Sequence, residues 1–180
     1  LADFSQIELR ILAYLAKDQR MLSIFQDPKG NFHEQTAQAM NIPYKFAKVF
    51  NYAMIYGGNE WTVADNSGMA DVALARKYIR SWAETYPQAT QWMTVQKIEG
   101  MRNGYVESLL GRRMPIPIDQ GRAHAEHCCV NFPIQCTAGE VFKLAIRECN
   151  SIKDSFRLIV HDEFDLSGHR ELPEGLADIT

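Results

Sequence analysis

The stretch Tyr44-Lys45-Phe46-Ala47-Lys48-Val49-Phe50-Asn51-Tyr52-Ala53-Met54-Ile55-Tyr56-Gly57 has the residue spacing of an amphipathic helix. Pro43 stands before it and Gly58 follows it, as expected at the two ends of a helix over 44–57. Four polar residues share one face because they lie three or four positions apart: Lys45, Lys48, Tyr52 and Tyr56. Ammonium groups suit a triphosphate, and aromatic rings suit a base or a sugar. A solvated helix whose lysines extend into water remains the alternative.

The segments around this helix predict a helix-dominant α+β protein. Residues 1–4 predict the end of a strand, and apolar residues at four-residue spacing predict a helix from Ser5. Ser5 and Glu8 have the spacing of a capping box. Further predicted helices cover residues 32–40, 71–101 (with Pro87 inside), 121–130 and 134–152, the last two separated by Pro133. Residues 105–118 predict a hairpin, and residues 158–166 predict two strands that meet at a tight acidic turn.

The composition is that of a globular protein with a sizeable core. The 180 residues are 46% hydrophobic and 23% charged, which excludes a disordered chain. No apolar run approaches the ~20 residues of a membrane helix, so we expect no membrane partner and a cytoplasmic location. Four cysteines without a C-x-x-C pair do not form a disulfide framework. The net charge of −3 counts against a free-standing nucleic-acid-binding module but not against an enzyme that binds metal through carboxylates.

Two acidic sites stand at the ends of predicted strands. Asp3 closes the first strand, and Asp162-Glu163 lies at the tip of the last hairpin. Mg²⁺ prefers such oxygen ligands, and it often takes only one or two protein carboxylates together with substrate phosphates. If the two sites converge, they predict a divalent-metal centre for phosphoryl transfer. The alternative is that Asp162 and Glu163 are ordinary turn residues.

The predicted hairpin carries two adjacent arginines, Arg112 and Arg113, just after its turn. Adjacent residues of a strand point to opposite faces, so at most one of them is expected to face a phosphate backbone. Ordinary surface charge is the alternative for both.

Three segments, taken in order, resemble the sequence motifs of family A DNA polymerases, the DNA polymerase I family. Residues 3–10 (DFSQIELR) resemble motif A, residues 48–57 (KVFNYAMIYG) resemble motif B on the fingers O-helix, and residues 160–163 (VHDE) resemble motif C. Residues 104–109, 111–113, 131–135 and 137–138 also resemble the family between B and C. The resemblance implies the fingers subdomain plus part of the palm of a right-hand polymerase. It implies template-directed DNA synthesis in replication or repair, with primer-template DNA and dNTPs as partners.

The resemblance implies a metal centre for two Mg²⁺ ions, with Mn²⁺ as the alternative ion. Asp3 and Asp162 would be the metal-binding carboxylates and catalytic residues, the Phe4 carbonyl a further ligand, and Glu163 a support for the site. The chemistry implied is in-line attack of a primer 3′-hydroxyl on the α-phosphate of the nucleotide, with pyrophosphate leaving.

The resemblance also assigns the incoming nucleotide and the DNA. Lys48 and His33 would meet the triphosphate, with Lys48 also catalytic, and Tyr56 would stack at the templating position. Glu8 would crowd the sugar 2′ carbon and exclude ribonucleotides, and Tyr52 would favour dideoxynucleotides through its phenol. The remaining assignments are, for the nucleotide, Gln6, Ile7 and Lys45, and, for primer–template, Gln6, Arg112, Asn131, Gln135 and His161.

Some positions depart from the family pattern. Tyr44 stands where the family usually has an arginine four residues before the motif B lysine, and His127 stands where it often has another. The neighbouring Lys45 could substitute at Tyr44, but an ammonium lacks the bidentate fork of arginine. We expect these departures to affect triphosphate affinity and fidelity more than the class of reaction.

We expect the chain to be a partial polymerase domain, since Leu1 is not Met and the segment before motif A is short. Residues 1–30 would belong to the palm, 31–103 mainly to the fingers, and 104–180 to the hairpin, helices and palm motif C, with thumb and exonuclease absent. We expect the isolated chain to polymerise poorly. A single-subunit RNA polymerase, a metal-dependent nuclease and an inactive DNA-binding remnant are the alternatives. Glu8 and the Asn51-Tyr52 pair argue against the first. A nuclease would not need the helix that carries Lys48 and the tyrosines, and the joint presence of Asp3, Lys48 and Asp162 argues against a remnant.

Overall fold

The structure, a computed structural model, describes the backbone of residues 2–66, 71–148, 156–160 and 163–166, and the side chains of residues 4–66 and 71–148. The described helices are α1 Ile7–Ala16, α2 Gln19–Gln26, α3 Phe32–Met40, α4 Tyr44–Ile55, α5 Glu60–Asn66, α6 Val72–Thr85, α7 Pro87–Asn103 and α8 Arg122–Glu148. The strands are β1 Ala2–Asp3, β2 Tyr105–Glu107, β3 Arg113–Pro115, β4 Phe156–Val160 and β5 Glu163–Leu166, and a 3-10 turn covers Ile118–Gln120. The fold is therefore α+β and dominated by helix, as predicted.

Two small antiparallel sheets bring distant parts of the chain together. The first has the order β1-β5-β4, and Asp3 in β1 lies opposite Glu163 in β5. Strands β4 and β5 pair around the 161–162 segment, so the two strands of the predicted acidic hairpin are confirmed, while residues 161 and 162 lie outside the described residues. The second sheet is the predicted 105–118 hairpin, with β2 paired to β3.

The core is built from the apolar faces of these helices. Leu9 and Leu12 of α1 are fully buried, and α1 packs against α7 and α8. Helices α3, α4 and α6 form a second contact group, in which the rings of Phe32 and Tyr86 lie 4.8 Å apart. The fully buried Trp82 completes this group. Helix α4 is thereby held on its inner side, which leaves its polar face available.

The predicted capping box at the start of α1 is wrong. The helix begins at Ile7, and Gln6 before it takes a left-handed conformation with φ of 57° and no side-chain cap. Glu8 therefore does not serve the helix start. Its carboxylate is bound instead to Tyr56, 48 residues away in the chain.

The two predictions that relied on internal prolines had different outcomes. Pro87 divides the predicted 71–101 helix into α6 and α7, because its missing N–H is harmless at the first turn of a new helix. The predicted break at Pro133 is wrong, since α8 runs through it. Pro133 cannot donate to the carbonyl of Cys129, but Cys129, Val130 and Ile134 are all buried, and their packing holds the helix across the missing bond.

Candidate active site

The acidic residues come together at the level of the backbone. Because Asp3 is paired with Glu163, the end of β1 lies beside the start of β5, and Asp162 directly precedes that start in the chain. His161 and Asp162 lie outside the described residues, as do the side chains of Asp3 and Glu163. The predicted convergence of the two acidic segments is supported by this register, and the metal-ligand roles stay predictions.

The polar face of α4 opens onto a cavity of about 520 Å³. Lys48, Tyr52 and Tyr56 line one side, and Gly57 and His127 are among the residues of the other. The cavity thus holds one ammonium group next to two phenol rings, the combination expected for a nucleotide.

Lys45 does not line this cavity. It borders a smaller one of about 280 Å³, together with Pro43 and Phe46 near the start of α4. The helical face predicted from spacing is therefore divided, and Lys48 is the lysine of that face that lies with the two tyrosines.

The same two tyrosines also line a second cavity, of about 590 Å³, between α4, α1 and α8. Their rings stack with centroids 6.2 Å apart and planes 19° apart. Ile7 and Glu8 of α1 and Gln135 of α8 also line this cavity, and Glu8 and Gln135 supply polar groups to it. Tyr52 and Tyr56 thus form a common wall between the two cavities.

Tyr56 ties α4 to α1. Its hydroxyl donates to Oε2 of Glu8 at 2.6 Å. Burial raises the pKa of Tyr56, and the acceptor carboxylate of Glu8 raises it further. The phenol therefore stays protonated and remains a hydrogen-bond donor. The Glu8 carboxylate is held between α1 and the C-terminal end of α4.

A glycine turn ends α4 against α8. Gly57 has φ of +70°, and a Cβ there would lie 3.2 Å from Nδ1 of His127, so the turn needs glycine for both its conformation and its contact. Burial lowers the pKa of His127, and the nearby His124 and Lys97 lower it further. At neutral pH His127, which stands where the family often has an arginine, therefore carries an uncharged imidazole ring.

His33 lies behind the α4 face and is 2% exposed. Its ring centroid is 5.5 Å from that of Tyr52 and 6.2 Å from that of Tyr44. Burial and the charge of Lys48 lower the pKa of His33 from 6.5 to about 4, so the ring is neutral at physiological pH. Its Nδ1 is 3.0 Å from Nδ2 of Asn51.

The residues predicted to contact DNA lie on different elements. Gln135 is exposed on α8, whereas Asn131, one turn earlier, is 6% exposed. Gln6 is held in its left-handed conformation, and its Oε1 is buried without a hydrogen-bond partner among the described residues. Arg112 binds Glu140 on α8 at 3.0 Å and keeps an exposed guanidinium.

Two features around Arg112 show how the hairpin is fixed. Burial favours a neutral Glu140, but hydrogen bonds from Ser108 and Arg112 outweigh it and lower the pKa of this carboxyl. Arg113 is occupied elsewhere, since it binds Glu107 at 2.7 Å and lies over the ring of Tyr105. The two arginines thus bind different carboxylates, Arg112 that of Glu140 and Arg113 that of Glu107, as expected for adjacent residues that point to opposite faces.

A buried polar group around Asn51 was missed by sequence reasoning. Asn51 connects His33, Thr36 and Trp82 through hydrogen bonds inside the α3–α4–α6 core. A signal was present, because Asn51 stands four residues from both Ala47 and Ile55 in what is otherwise an apolar stripe.

Comparison with known proteins agrees with this geometry. The model of DNA polymerase family A matches residues 1–179. The chain belongs to DNA polymerase family A. It is 31% identical over 193 residues to the thermostable DNA polymerase I of Thermus aquaticus, covering 97% of this chain and 23% of that protein. It is 31% identical to DNA polymerase I of Pseudomonas aeruginosa, over 98% of this chain and 21% of that protein.

A phage DNA polymerase and a solved polymerase domain are also similar to this chain. The DNA polymerase of Mycobacterium phage L5 is 29% identical over 89% of this chain and 26% of its own length. The polymerase domain of Pol1 from M. smegmatis, solved in complex with DNA primer-template and dNTP, matches with a TM-score of 0.81. That match has 24% identity and covers 98% of this chain and 34% of that one, so it shows the shared fold. The chain spans about a quarter of the length of its curated relatives.

None of the helices in the described part of the chain is long and apolar enough to span a membrane.

Proposed function

We propose that this chain carries the nucleotide-binding and acidic parts of a template-directed DNA polymerase. The observation that carries the proposal is the cavity formed by Lys48, Tyr52 and Tyr56, whose wall is tied through Glu8 to the helix that follows β1. The reaction is addition of a dNTP to a primer 3′-hydroxyl by in-line attack on the α-phosphate, with pyrophosphate leaving. Membership of family A supports this reaction class.

Different residues of the two cavities bind different parts of the nucleotide and the DNA. The ammonium of Lys48 neutralises charge on the triphosphate, where a positioned cation is most effective if water is excluded. Tyr52 and Tyr56 offer ring faces to the sugar and the base. Glu8, held by Tyr56, occupies the space that a 2′-hydroxyl would need. Gln135 lies across the second cavity, where it can contact the minor groove of the primer–template.

The acidic segments fit a site for two Mg²⁺ ions, with Mn²⁺ as a possible replacement. Asp3 and Asp162 would hold the ions together with the Phe4 carbonyl, and Glu163 would support them. The register of β1 on β5 and the all-oxygen character of these donors support this fit. When bound, the ions supply charge neutralisation for the triphosphate and activation of the primer hydroxyl.

We propose further that the chain works within a longer polymerase. Its coverage of about a quarter of its relatives supports this. Residues 1–30 would belong to the palm, 31–103 mainly to the fingers, and 104–180 to the hairpin, helices and palm motif C. Primer-template DNA would then be gripped in part by surfaces outside these residues, and the enzyme would act in the cytoplasm in replication or repair.

Primer extension by the polymerase that carries this chain tests the proposal. We expect extension with dNTPs in Mg²⁺, loss of extension in Asp162→Ala, and retained extension in Asp165→Ala, which removes a carboxylate from the same strand region. Extension with rNTPs instead would favour an RNA polymerase. Equal extension by the parent and by Asp162→Ala would contradict the proposed acidic centre, and no extension by a folded parent would favour an inactive remnant.

A further inference from the structure

The buried polar group behind α4 has a defined hydrogen-bond direction at every member. The indole Nε1 of Trp82 is a donor only, and it lies 3.0 Å from Oδ1 of Asn51. This contact turns the amide so that Nδ2 faces the other side. There Nδ2 lies 3.0 Å from Nδ1 of His33 and 3.2 Å from Oγ1 of Thr36. Both N–H bonds of the amide are thereby used.

Thr36 closes the group and leaves no alternative orientation. Its hydroxyl donates to the carbonyl of Phe32 at 2.9 Å and so must accept from Tyr86, 2.9 Å away, as well as from Asn51. An amide turned the other way would place Oδ1 against an oxygen whose proton is already used, and its N–H against the indole N–H of Trp82. Both contacts are repulsive in a buried setting.

The fixed amide determines which nitrogen of His33 carries the proton. Because Asn51 donates to Nδ1, that nitrogen must hold a lone pair, and the neutral ring must carry its proton on Nε2. Among the described residues, Nε2 has no hydrogen-bond partner, although it is buried. An unused, buried N–H donor is uncommon in a protein and indicates a ligand acceptor that arrives later.

The surroundings of His33 indicate what that acceptor is. Lys48 lies near enough for its charge to disfavour protonation of the ring. Tyr52, which lines the nucleotide cavity, packs against His33 on one side. Tyr44 covers it on another side and is 45% exposed, so its ring can turn away into solvent. These neighbours favour a phosphate oxygen bound by Lys48 as the acceptor.

We propose that Asn51 and Trp82 are positioning residues that fix His33 as the Nε2–H tautomer, so that the nucleotide triphosphate meets a hydrogen-bond donor and not a lone pair. The proposal rests on the proposed function for its ligand, and on this network alone for the tautomer. A neutral donor suits this place because a second full positive charge beside Lys48 would be expensive to bury. The opposite tautomer would point a lone pair at the phosphate.

The tautomer is measured first, in the nucleotide-free polymerase that carries this chain, labelled with ¹⁵N-histidine, where the His33 signals are those that disappear in His33→Gln. The ¹⁵N shifts of the two ring nitrogens distinguish a protonated from an unprotonated atom. We expect His33 at pH 7 to be protonated on Nε2 and unprotonated on Nδ1. In Trp82→Phe, which removes the indole donor that orients Asn51 together with part of the buried ring, we expect a mixture of tautomers, and in the control Trp92→Phe, which makes the same change at a position outside the group, no change. A proton on Nδ1 in the parent, or an unchanged tautomer in Trp82→Phe, would overturn the proposal.

The consequence for the ligand is measured as binding of dATP with Mg²⁺ to the same proteins. We expect Trp82→Phe to weaken binding about tenfold, and His33→Gln, which keeps an N–H donor, to bind within about threefold of the parent. In the His33→Gln background, Trp82→Phe should change the affinity no further, because its effect passes through the histidine. An equal loss in both backgrounds would show a merely structural role. If the parent fails to bind dATP while the tautomer is as expected, the proposed nucleotide site fails and the tautomer assignment stands.

Discussion

The hydroxyl of Tyr56 donates to the carboxylate of Glu8 across 48 residues of sequence, at 2.6 Å. This bond joins Tyr56, directly after α4, to the first turn of α1, and it holds a carboxylate in the second cavity. Glu8 accepts a hydrogen bond from Tyr56, and the proposed function gives it a second role as an obstacle to a sugar 2′-hydroxyl. The two effects can be separated by mutation.

Removing the side chain of Glu8 should relax the choice of sugar. We expect Glu8→Ala in the polymerase that carries this chain to raise rNTP incorporation relative to dNTP by at least about tenfold, which is ~1.4 kcal/mol. The comparison is of kcat/KM for ATP and dATP opposite the same template base. Tyr56→Phe is the matched control, since it deletes the hydrogen bond but leaves the carboxylate. If Tyr56→Phe relaxes the choice as much as Glu8→Ala, the bond and not the bulk is responsible.

The two lysines of α4 should behave differently although both are exposed. Lys48 lines the cavity with the two tyrosines, and Lys45 lines another. We expect Lys48→Ala to lower kcat/KM for dNTP about a hundredfold, since it removes a cation from the triphosphate, and Lys45→Ala to lower it less than threefold. Comparable losses in both variants would show that the triphosphate extends along the whole face.

Tyr52 should set the response to chain terminators. The phenol can donate a hydrogen bond near the sugar 3′ position, where a dideoxynucleotide lacks the hydroxyl group. We expect the parent to accept ddNTPs readily and Tyr52→Phe to discriminate against them at least about tenfold. Primer termination at mixed dNTP and ddNTP concentrations measures this. Equal termination by the parent and the variant would remove Tyr52 from this role.

The stability of the chain should fall in mild acid because of His33. The unfolded chain binds this proton near the ordinary pKa of 6.5, whereas the folded chain holds the pKa at about 4. Between these values the unfolded state binds more protons, so the free energy of unfolding decreases as the pH falls. The stability is fully present above 6.5 and is lost progressively toward 4. The charged and titratable groups that face the ring are Lys48, Tyr44 and Tyr52, with Tyr86 beyond Thr36.

The measurement is urea unfolding of the chain at pH 7 and pH 4.5. We expect the parent to lose about 2–3 kcal/mol more than His33→Gln between these two values. The variant removes this titration and keeps the other histidines, so the difference isolates the one ring. The same loss of free energy of unfolding in both proteins would mean that folding does not lower the pKa of His33.

Sequence reasoning succeeded where the signals are local. The start of α4 follows from Pro43 before it, whose fixed φ suits a helix start. The helix ends at Ile55, two residues before the predicted end, because Gly57 takes a positive φ that a helix does not continue. The 105–118 hairpin and the paired strands β4 and β5 follow from alternation and turn residues. The helix α5 that follows Gly58 was not predicted, since it is only 7 residues long.

The other failures involve partners that are distant in sequence. Glu8 looked like a cap because its spacing from Ser5 fits one, but its partner is Tyr56. Pro133 looked like a break because local rules exclude its N–H, while packing of α8 on α1 and α7 outweighs one missing hydrogen bond. The division of the α4 face between Lys45 and Lys48 also depends on which other elements border each lysine.

The central claim is that synthesis is directed by a template at this site. Single-nucleotide incorporation by the polymerase that carries this chain tests it most directly, with dATP and dGTP offered opposite template thymine and then opposite template cytosine. We expect the preferred nucleotide to change from dATP to dGTP with the template base, and incorporation to disappear in Asp162→Ala. Incorporation of the same nucleotide whatever the template, or incorporation that survives in Asp162→Ala, would contradict the claim.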